Sequence, residues 1–311
     1  MELSVIVLFS IASLASLFMA WVIGAGSSGA TPFAPAVGAN AVSTMRAAFV
    51  VGLFGFAGAI VQGANVSRTV GRGLVGGVSI PATAVILVLL IGASLMAIGI
   101  KTGYPIATAF TVTGSVVGVG FALGGTPIWA KYLQIAAVWT LTPFVGGGIA
   151  YGTARLLRND SIPERAAIPV LGGVVGAIVG NIEFVFLGGA GESASLATVA
   201  ITAVGGADLP VRAGVSLAAA AVPAAALWWR IGADAARTQR RFLLVLGGLV
   251  AFSAGGSQVG LAIGPLLPLL DPFDLPVIAV LVGGGIGLLV GSWTGAPRMI
   301  KAIAQDYSSL G

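Results

Sequence analysis

The chain alternates long apolar stretches with short polar connections. Ten stretches are apolar enough to enter or cross a membrane, and their approximate spans are 3–23, 45–63, 79–100, 104–124, 133–152, 167–189, 195–206, 211–229, 242–254 and 276–296. A transmembrane helix needs about 20 predominantly apolar residues to cross about 30 Å of hydrocarbon. The pattern therefore predicts an all-α polytopic membrane protein with about 9–10 membrane segments.

Two of these stretches run into segments that are unlike ordinary membrane helices. The first is Gly24 to Gly38, GAGSSGATPFAPAVG, and the second is Ala254 to Leu270, AGGSQVGLAIGPLLPLL. Each contains glycines, small polar residues and two prolines, and a proline in a helix interior costs about 3 kcal/mol. Broken backbone is tolerated in a membrane only where protein or a water-filled cavity receives it. We therefore expect discontinuous or re-entrant half-helices at both places.

The two segments resemble each other when Ser27 is aligned with Ser257, which pairs AGSSGATPFAP with GGSQVGLAIGP. Repeated broken helices are typical of inverted-repeat transporters, whose binding site lies at the breaks. The alternative is that these small residues only allow close helix packing. A third break, Gly103 to Gly114, carries Thr108 and two further threonines. Their hydroxyls either face a site or bond to carbonyls of their own helix.

Composition supports the membrane assignment and excludes several other classes. Of the 311 residues, 57% are hydrophobic and 8% are charged, whereas a soluble domain has about 25% charged residues. Arginines cluster in the connections 153–165 and 230–241, which is typical of cytoplasmic loops rather than of a nucleic-acid surface. His and Cys are absent, so we expect no enzyme, no His/Cys metal site and no cofactor. The prediction is a multi-pass protein of the plasma membrane.

The residues around the breaks resemble the inorganic phosphate transporter (PiT) family of secondary carriers. The signature of that family is G-A-N-D-V-A-N-A, once in each of two inverted repeats, and here it corresponds to residues 25–32 and 255–262. Other segments that resemble the family include FGFAGAIVQG, GYPIATAF and GSWTGAPRMIKAIAQDYSSLG. The resemblance covers about 1–155 and 237–311. It implies a first repeat at 1–155, connecting membrane helices and a cytoplasmic loop at 156–236, and a second repeat at 237–311.

This sequence departs from the family pattern at its most specific positions. Both Asn-Asp pairs of the signature are replaced, by Ser27-Ser28 in the first copy and by Ser257-Gln258 in the second. The histidine of the family's hairpin corresponds to Phe110. The second repeat stops before a hairpin of its own, so we expect either a truncated fragment or a loss of those helices.

An oxyanion site at the breaks follows from the chemistry of these residues. Half-helix N-termini offer N–H groups and the positive end of a helix dipole, and hydroxyl and amide groups donate further hydrogen bonds. The predicted substrate-binding residues are Ser27, Ser28, Thr31, Ser257 and Gln258, with Thr108 added by the resemblance and with Gly26, Gly29, Gly255 and Gly256 at the half-helices. We expect a permease of an inorganic oxyanion, phosphate first, that works by alternating access. The alternatives are a sulfate or other oxyanion permease of the same fold, or a transport-incompetent receptor or partner subunit.

The driving force for such transport is a separate question. Importing an anion against an inside-negative potential costs about 2.3 kcal/mol per charge per 100 mV, which favours a coupled Na⁺ or H⁺. The resemblance implies Na⁺ at the signature aspartates, but these are absent. Glu183 lies in the apolar sequence GNIEFVF, and a carboxylate at the bilayer centre costs about 2.5–3.5 kcal/mol and is usually functional. It is the predicted coupling residue. The predicted partners are the transported anion, the lipid bilayer and a second copy of the chain in a homodimer.

Overall fold

The computed structural model describes residues 3–104, 106–159, 163–189, 192–205, 207–232 and 234–306, and these ranges are mostly helical. The helices are α1 (Leu3–Ala25), α2 (Ser27–Ala30), α3 (Ala34–Gly38), α4 (Thr44–Arg72), α5 (Ala82–Thr102), α6 (Thr108–Ala122), α7 (Trp129–Leu157), α8 (Glu164–Asn181), α9 (Leu196–Val204), α10 (Asp208–Ile231), α11 (Ala235–Ile263), α12 (Val277–Thr294) and α13 (Ala296–Lys301). Two short strands, β1 (Val75–Gly76) and β2 (Thr126–Pro127), pair antiparallel.

Within the described ranges, seven helical segments are long and apolar enough to span a membrane, and two shorter apolar helices, Thr108–Ala122 and Arg165–Asn181, accompany them. Each of the ten predicted stretches overlaps one of the helices α1 and α4 to α12. The prediction of an all-α polytopic membrane protein is therefore confirmed. Length and apolar composition were sufficient for this prediction. A membrane helix makes all its backbone hydrogen bonds within one segment, so it can be recognised from that segment alone.

The chain forms two compact units, one of residues 1–134 and 243–311 and the other of residues 135–242. In the second unit, α8 and α10 pack through small residues, since a Cβ on Gly176 would meet the carbonyl oxygen of Ala219. Helix α9 contacts both of them. It begins at Ser195, whose hydroxyl accepts a hydrogen bond of 3.0 Å from the N–H of Thr198. Such an N-cap stabilises a helix by about 1 kcal/mol.

In the first unit, α1 lies against α12 at glycines. A Cβ on Gly24 would overlap the backbone of Leu288, and a Cβ on Gly291 would overlap the carbonyl oxygen of Trp21. Small residues let two backbones approach closely, which is how membrane helices gain packing energy without a hydrophobic driving force. Positions further along α1 meet positions further along α12, so the two helices are parallel.

Helices α4 and α11 form a second parallel pair of the same kind. Gly255 lies against the backbone of Gly55, and Gly264 lies against the side chain of Val70. Helices α4 and α12 pack antiparallel, with Gly52 beside Trp293 and Gly63 beside Leu281. A pseudo-twofold relation that exchanges α1 with α11 and α4 with α12 accounts for all three packings. This relation superposes Ser27 on Ser257, which lies 230 residues later in the sequence. Two inverted repeats, as predicted, have this arrangement of helices.

The two glycine–serine segments differ from the prediction in where their helices are interrupted. Helix α1 ends in a turn at Gly26 and helical backbone resumes as α2. Helix α11 is uninterrupted through Gly255, Gly256 and Gln258 and ends only at Ile263, where a 3₁₀ turn with a proline at its start begins at Gly264. Gly255 and Gly256 are therefore corrected from a half-helix end to a helix interior. The reason is that glycine packed against α4 does not break a helix, whereas the proline after it does.

The third break is a sharp interruption between α5 and α6. Helix α5 ends at Gly103, which has a φ of +80° and so occupies the left-handed region that only glycine adopts freely. Helix α6 begins at Thr108, and Pro105 lies outside the described residues. Helix α6 therefore begins inside the first unit, with Thr108 beside Ser27, just after the end of α1.

Candidate functional site

Side chains from all three predicted breaks meet at one point in the first unit. The hydroxyl of Thr108 at the start of α6 donates to the hydroxyl of Ser27 over 3.0 Å. The hydroxyl of Ser27 in turn donates to Oε1 of Gln258 on α11 over 3.4 Å. Thr108 is buried and Ser27 and Gln258 are half-buried. The chain Thr108, Ser27, Gln258 joins the two inverted repeats through polar groups in an otherwise apolar interior, and we call it the polar relay.

The kink at Gly26 places Ser27 in the relay without leaving nearby carbonyls unpaired. The hydroxyl of Ser28 donates to the carbonyl of Ile23 over 3.2 Å, and the hydroxyl of Ser292 donates to the carbonyl of Gly24 over 3.3 Å. An unpaired carbonyl costs several kcal/mol away from water. Ser28 therefore supports the kink and its hydroxyl proton is not directed at a ligand. The substrate-binding role of Ser28 stays a prediction.

A small cavity of about 50 Å³ opens beside Ser27. One water needs about 10–15 Å³ of such volume, so the cavity has room for roughly three to five oxygen-sized atoms. A tetrahedral oxyanion presents four. Its polar lining consists of Gly26, Ser27, Thr31 and Tyr104, and its apolar lining consists of Met96, Ile100, Ile106, Met299 and Ile303. No charged side chain lines it.

The first turn of α6 adds a positive potential near Ser27. Helix α6 is 15 residues long and no side chain caps its N-terminus at Ala107. The first N–H groups of a helix have no intrahelical acceptor, and the helix dipole makes this end equivalent to roughly +0.5 charge. The half-helix N-terminus that we expected in the first and second breaks is thus found in the third. It stands at Thr108, which bonds directly to Ser27.

The remaining predicted glycine and hydroxyl residues take different places. Thr31 lines the cavity, although its hydroxyl donates to the carbonyl of Ser27 over 3.0 Å. Ser257 is exposed and donates to the carbonyl of Ala254 rather than to the relay, and its binding role stays a prediction. Gly29 packs against α12 and α13, because a Cβ there would lie 2.9 Å from the hydroxyl of Ser292.

Glu183 lies beyond the end of its predicted helix and is exposed on the protein surface. Helix α8 ends at Asn181, and Glu183 follows it as an exposed residue whose carboxylate accepts a hydrogen bond of 2.9 Å from the hydroxyl of Ser193. The flanking apolar residues belong to a turn and a short bridge between Phe184 and Ala194, and the coupling role of Glu183 stays a prediction. Among the described residues, no group of three or more acidic side chains could hold a metal ion.

Sequence reasoning missed three basic residues next to the cavity. Lys101 directly follows the lining residue Ile100, Arg298 directly precedes Met299, and Lys301 lies two residues before Ile303. All three are exposed. We call them the basic mouth. Their only signal in the sequence is a position near the ends of apolar helices, where a cation most often extends to the membrane interface without a binding role.

Comparison with known proteins supports the family resemblance. A model of the Phosphate transporter family matches residues 11–311. Two similar proteins are each named "Putative phosphate permease": that of Pyrococcus furiosus is 26% identical over 94% of this chain and 74% of its own length, and that of Pyrococcus abyssi is 27% identical over 94% and 76%. A solved structure titled "The sodium-dependent phosphate transporter" matches with a TM-score of 0.73 and 20% identity, over 96% of this chain and 78% of that chain. The last match supports the fold.

The family match extends across both repeats and the segment between them. The chain therefore belongs to the phosphate transporter family, and it is a multi-pass membrane protein with helices that are long enough to span a bilayer.

Proposed function

We propose that this member of the phosphate transporter family carries inorganic phosphate across the cell membrane by alternating access, with the anion bound beside the polar relay. The observation that supports this most directly is the meeting of Ser27, Thr108 and Gln258 next to a small cavity without acidic lining. Carriers built from inverted repeats hold their substrate between the repeats and expose it to each side in turn as one repeat rocks against the other.

The donors of the relay suit a tetrahedral oxyanion. An anion that leaves water needs hydrogen bonds in place of its hydration shell, and a hydrogen bond to a charged group contributes about 1.5–3 kcal/mol. The hydroxyl of Ser27 and the amide of Gln258 can each donate one, while Thr108 holds the Ser27 oxygen in place through its own hydrogen bond. The N-terminus of α6 adds backbone N–H groups and a favourable dipole.

The acceptor in the relay favours phosphate over sulfate. Phosphate carries at least one proton for much of its population near neutral pH, whereas sulfate has none to donate. Oε1 of Gln258 faces the relay as an acceptor and could receive the hydrogen bond of a P–OH group. A site with a buried acceptor penalises the analogue that leaves it unpaired. Sulfate permease activity is therefore the second candidate, and it shares the site and the mechanism.

We propose that transport depends at most weakly on Na⁺ or H⁺, because no carboxylate is among the residues that line the cavity. The solved structure to which the chain is similar is titled as sodium-dependent, so Na⁺ is the first ion to test. Hard cations prefer carboxylate and carbonyl oxygens, and this site offers neutral oxygens of Ser27, Thr108 and Gln258. We therefore expect a weak dependence of uptake on Na⁺.

The proposal is tested by uptake of labelled phosphate and labelled sulfate into liposomes that contain the purified protein, with and without Na⁺ or a pH gradient. We expect saturable phosphate uptake that exceeds sulfate uptake. Ser27→Ala combined with Gln258→Ala should abolish it. The matched control is Ser257→Ala, which changes the residue next to Gln258 but faces away from the relay.

Three results would contradict the proposal. Absence of uptake of both anions by a folded protein would favour a receptor or partner subunit over a transporter. Full uptake by the double variant would mean that the anion binds elsewhere. A loss of uptake in Ser257→Ala as large as that in the double variant would remove the argument for the relay.

A further inference from the structure

A charged cavity of about 710 Å³ lies at the C-terminal end of α4, and it shares no lining residue with the cavity beside Ser27. Its charged side chains are Arg68 and Arg72 on α4, and Asp271 and Asp274 in the connection between α11 and α12. All four are exposed. Arg68 and Arg72 are four residues apart in one helix, so their side chains lie on the same face of α4. The cavity therefore presents two neighbouring guanidinium groups.

This cavity and the basic mouth lie at opposite faces of the membrane. Helices α4 and α12 pack antiparallel, because Gly63 of α4 meets the first half of α12 and Gly52 meets its last turn. The C-terminal ends of α4 and α12 therefore point in opposite directions, and the basic residues of α13 follow α12 at its C-terminal end. A carrier that works by alternating access must receive the anion at one face and release it at the other. Each face thus needs its own entrance.

The pseudo-twofold places an arginine at the same position of both repeats. Arg298 of the basic mouth lies 230 residues after Arg68, and both side chains are exposed. Arg298 is exposed even though α5 and α13 line one cavity beside it. A helix that packs beside this position therefore leaves the arginine exposed. The repeats thus provide an exposed cation at each face, where it attracts an anion before the anion enters the site.

Arg72 already holds a carboxylate in this cavity. Its Nη2 donates to both oxygens of Asp271, over 2.9 and 3.0 Å. The corresponding positions in the other repeat, 230 residues away, are Ala302 and Ala41, so the fold of the repeat does not require an ion pair here. A carboxylate and a phosphate offer a guanidinium the same kind of paired oxygens. Asp271 thus shows that an oxyanion can occupy the guanidinium of Arg72.

We propose that Arg68 and Arg72 form an entrance site for inorganic phosphate, in which the phosphate displaces Asp271 from Arg72. We call this site the arginine vestibule. The inference rests on the proposed function, because it takes the anion bound here to be the transported one. Exposed ion pairs contribute little to stability, so a phosphate that pairs with both guanidinium groups can replace one carboxylate. The two aspartates of the vestibule repel the anion and keep its affinity low, which suits an entrance that must pass the anion on.

Two other roles for these arginines make different predictions. Arg72 lies in the last turn of α4, where a cation also complements the negative end of the helix dipole and extends to the interface. In that role alone it would bind no phosphate. A lipid headgroup presents the same phosphate chemistry at the membrane surface. We favour the inorganic anion because Asp271 competes for Arg72 from within the protein, and only a ligand that is bound and released in each cycle needs such a competitor.

The proposal is tested by the protection of arginines from phenylglyoxal, which modifies accessible guanidinium groups, in the purified chain in lipid-free detergent micelles. Peptide mass spectrometry gives the modification rate of each arginine in inorganic phosphate and in chloride of equal ionic strength. Saturating phosphate should remove most of the reactivity of Arg68 and Arg72. Asp271→Asn should lower the phosphate concentration for half-protection about twofold to fivefold, since an exposed ion pair contributes that much. Arg72→Gln should weaken the protection of Arg68, because the phosphate then pairs with one guanidinium instead of two.

A matched control comes from another exposed ion pair. Asp234→Asn breaks the pair of Asp234 with Arg237, neither of which lines the vestibule, and it should leave the half-protection concentration at Arg68 unchanged. Arg237 should react equally in phosphate and in chloride. Phosphatidylglycerol added to the micelles in place of phosphate should not protect Arg68 or Arg72.

Failure of the vestibule and failure of the proposed function have different signatures. Ser27→Ala combined with Gln258→Ala should abolish uptake but leave the protection of Arg68 and Arg72 intact. Phosphate uptake without protection would overturn the vestibule and leave the carrier. Protection without uptake by any variant would keep the site and contradict transport. An unchanged half-protection concentration in Asp271→Asn would overturn the displacement, and protection by phosphatidylglycerol alone would overturn the inorganic anion in favour of a lipid headgroup.

Discussion

Thr108 offers the sharpest test of the polar relay, because it acts on the anion through Ser27. Its side chain is 3% exposed, and its hydroxyl donates to Ser27 over 3.0 Å. This bond occupies a lone pair of the Ser27 oxygen and leaves the Ser27 proton to be donated further. When an anion is bound, that proton can turn from Gln258 to the anion while the Thr108 bond holds the oxygen in place.

The structure predicts an order of effects. Ser27→Ala removes the direct donor, and a hydrogen bond to a charged group contributes about 1.5–3 kcal/mol, which corresponds to roughly a 10- to 150-fold weaker Kd. Thr108→Val keeps the shape and removes a neutral hydrogen bond of about 0.5–1.5 kcal/mol, or roughly a 2- to 12-fold weaker Kd. Thr108→Ser keeps the hydroxyl and should bind close to the wild type.

The assay is calorimetric titration of the purified variants with inorganic phosphate, with thermal unfolding as a check on folding. The expected order of Kd is wild type and Thr108→Ser lowest, then Thr108→Val, then Ser27→Ala. Wild-type affinity in Thr108→Val would refute the positioning role of Thr108. A larger loss in Thr108→Val than in Ser27→Ala would show that the threonine, rather than the serine, is the direct donor.

Three further predictions concern packing, coupling and access of the anion. Gly255→Leu should lower the free energy of unfolding by about 1–3 kcal/mol or more through overpacking, because its Cβ would overlap the backbone of Gly55. The control Gly146→Leu adds a side chain in open space and should unfold like the wild type. Equal melting temperatures for the two variants would contradict the close packing of α4 and α11. Glu183→Gln should leave the pH-gradient dependence of uptake unchanged, since Glu183 is exposed beyond α8, and a lost response would restore it as the coupling residue. Neutralising all three residues of the basic mouth should raise the KM for phosphate most at low ionic strength, because salt screens steering by exposed charges; a KM change that is independent of salt would indicate direct contact instead.

Much of the fold could be predicted from the sequence, because a membrane helix is specified by one local property. The predicted stretch 79–100, for example, corresponds to α5, which is mostly apolar and is followed by a glycine with positive φ. The positions of the breaks were harder. Gly255 and Gly256 have the composition of a break, yet they lie in the interior of α11 because their missing side chains allow α4 to approach. Local composition does not distinguish a glycine that bends a helix from one that packs it.

The candidate site was predicted in part, for a related reason. Ser27, Thr108 and Gln258 were chosen from breaks far apart in sequence, and they meet in space. Ser28 and Ser257 had the same composition around them, but each donates to a backbone carbonyl. The direction of a side chain depends on its helical phase relative to the neighbouring helices, which is a property of tertiary packing. The kink at Gly26 sets that phase for Ser27 and Ser28.

None of the residues that line the cavity beside Ser27 is charged. The dependence of phosphate accumulation on membrane potential therefore shows whether a cation crosses with the anion. If the phosphate monoanion crosses with no cation, its movement carries one charge, and a potential of 100 mV contributes about 2.3 kcal/mol. About 60 mV then corresponds to 1.4 kcal/mol, or a tenfold change in the accumulation ratio. One coupled Na⁺ would cancel that charge and make uptake of the monoanion insensitive to potential.

We therefore predict that imposed potentials distinguish the two cases. In liposomes at pH 6, where the monoanion dominates, an inside-positive potassium diffusion potential of about 60 mV should raise phosphate accumulation about tenfold, with or without Na⁺. The physical reason is that the relay offers an anion the donors of Ser27 and Gln258 but offers a cation only neutral oxygens. Accumulation that ignores the potential and requires Na⁺ would show that a cation binds in spite of the missing carboxylates, and its ligands would then have to include backbone carbonyls near the kink at Gly26.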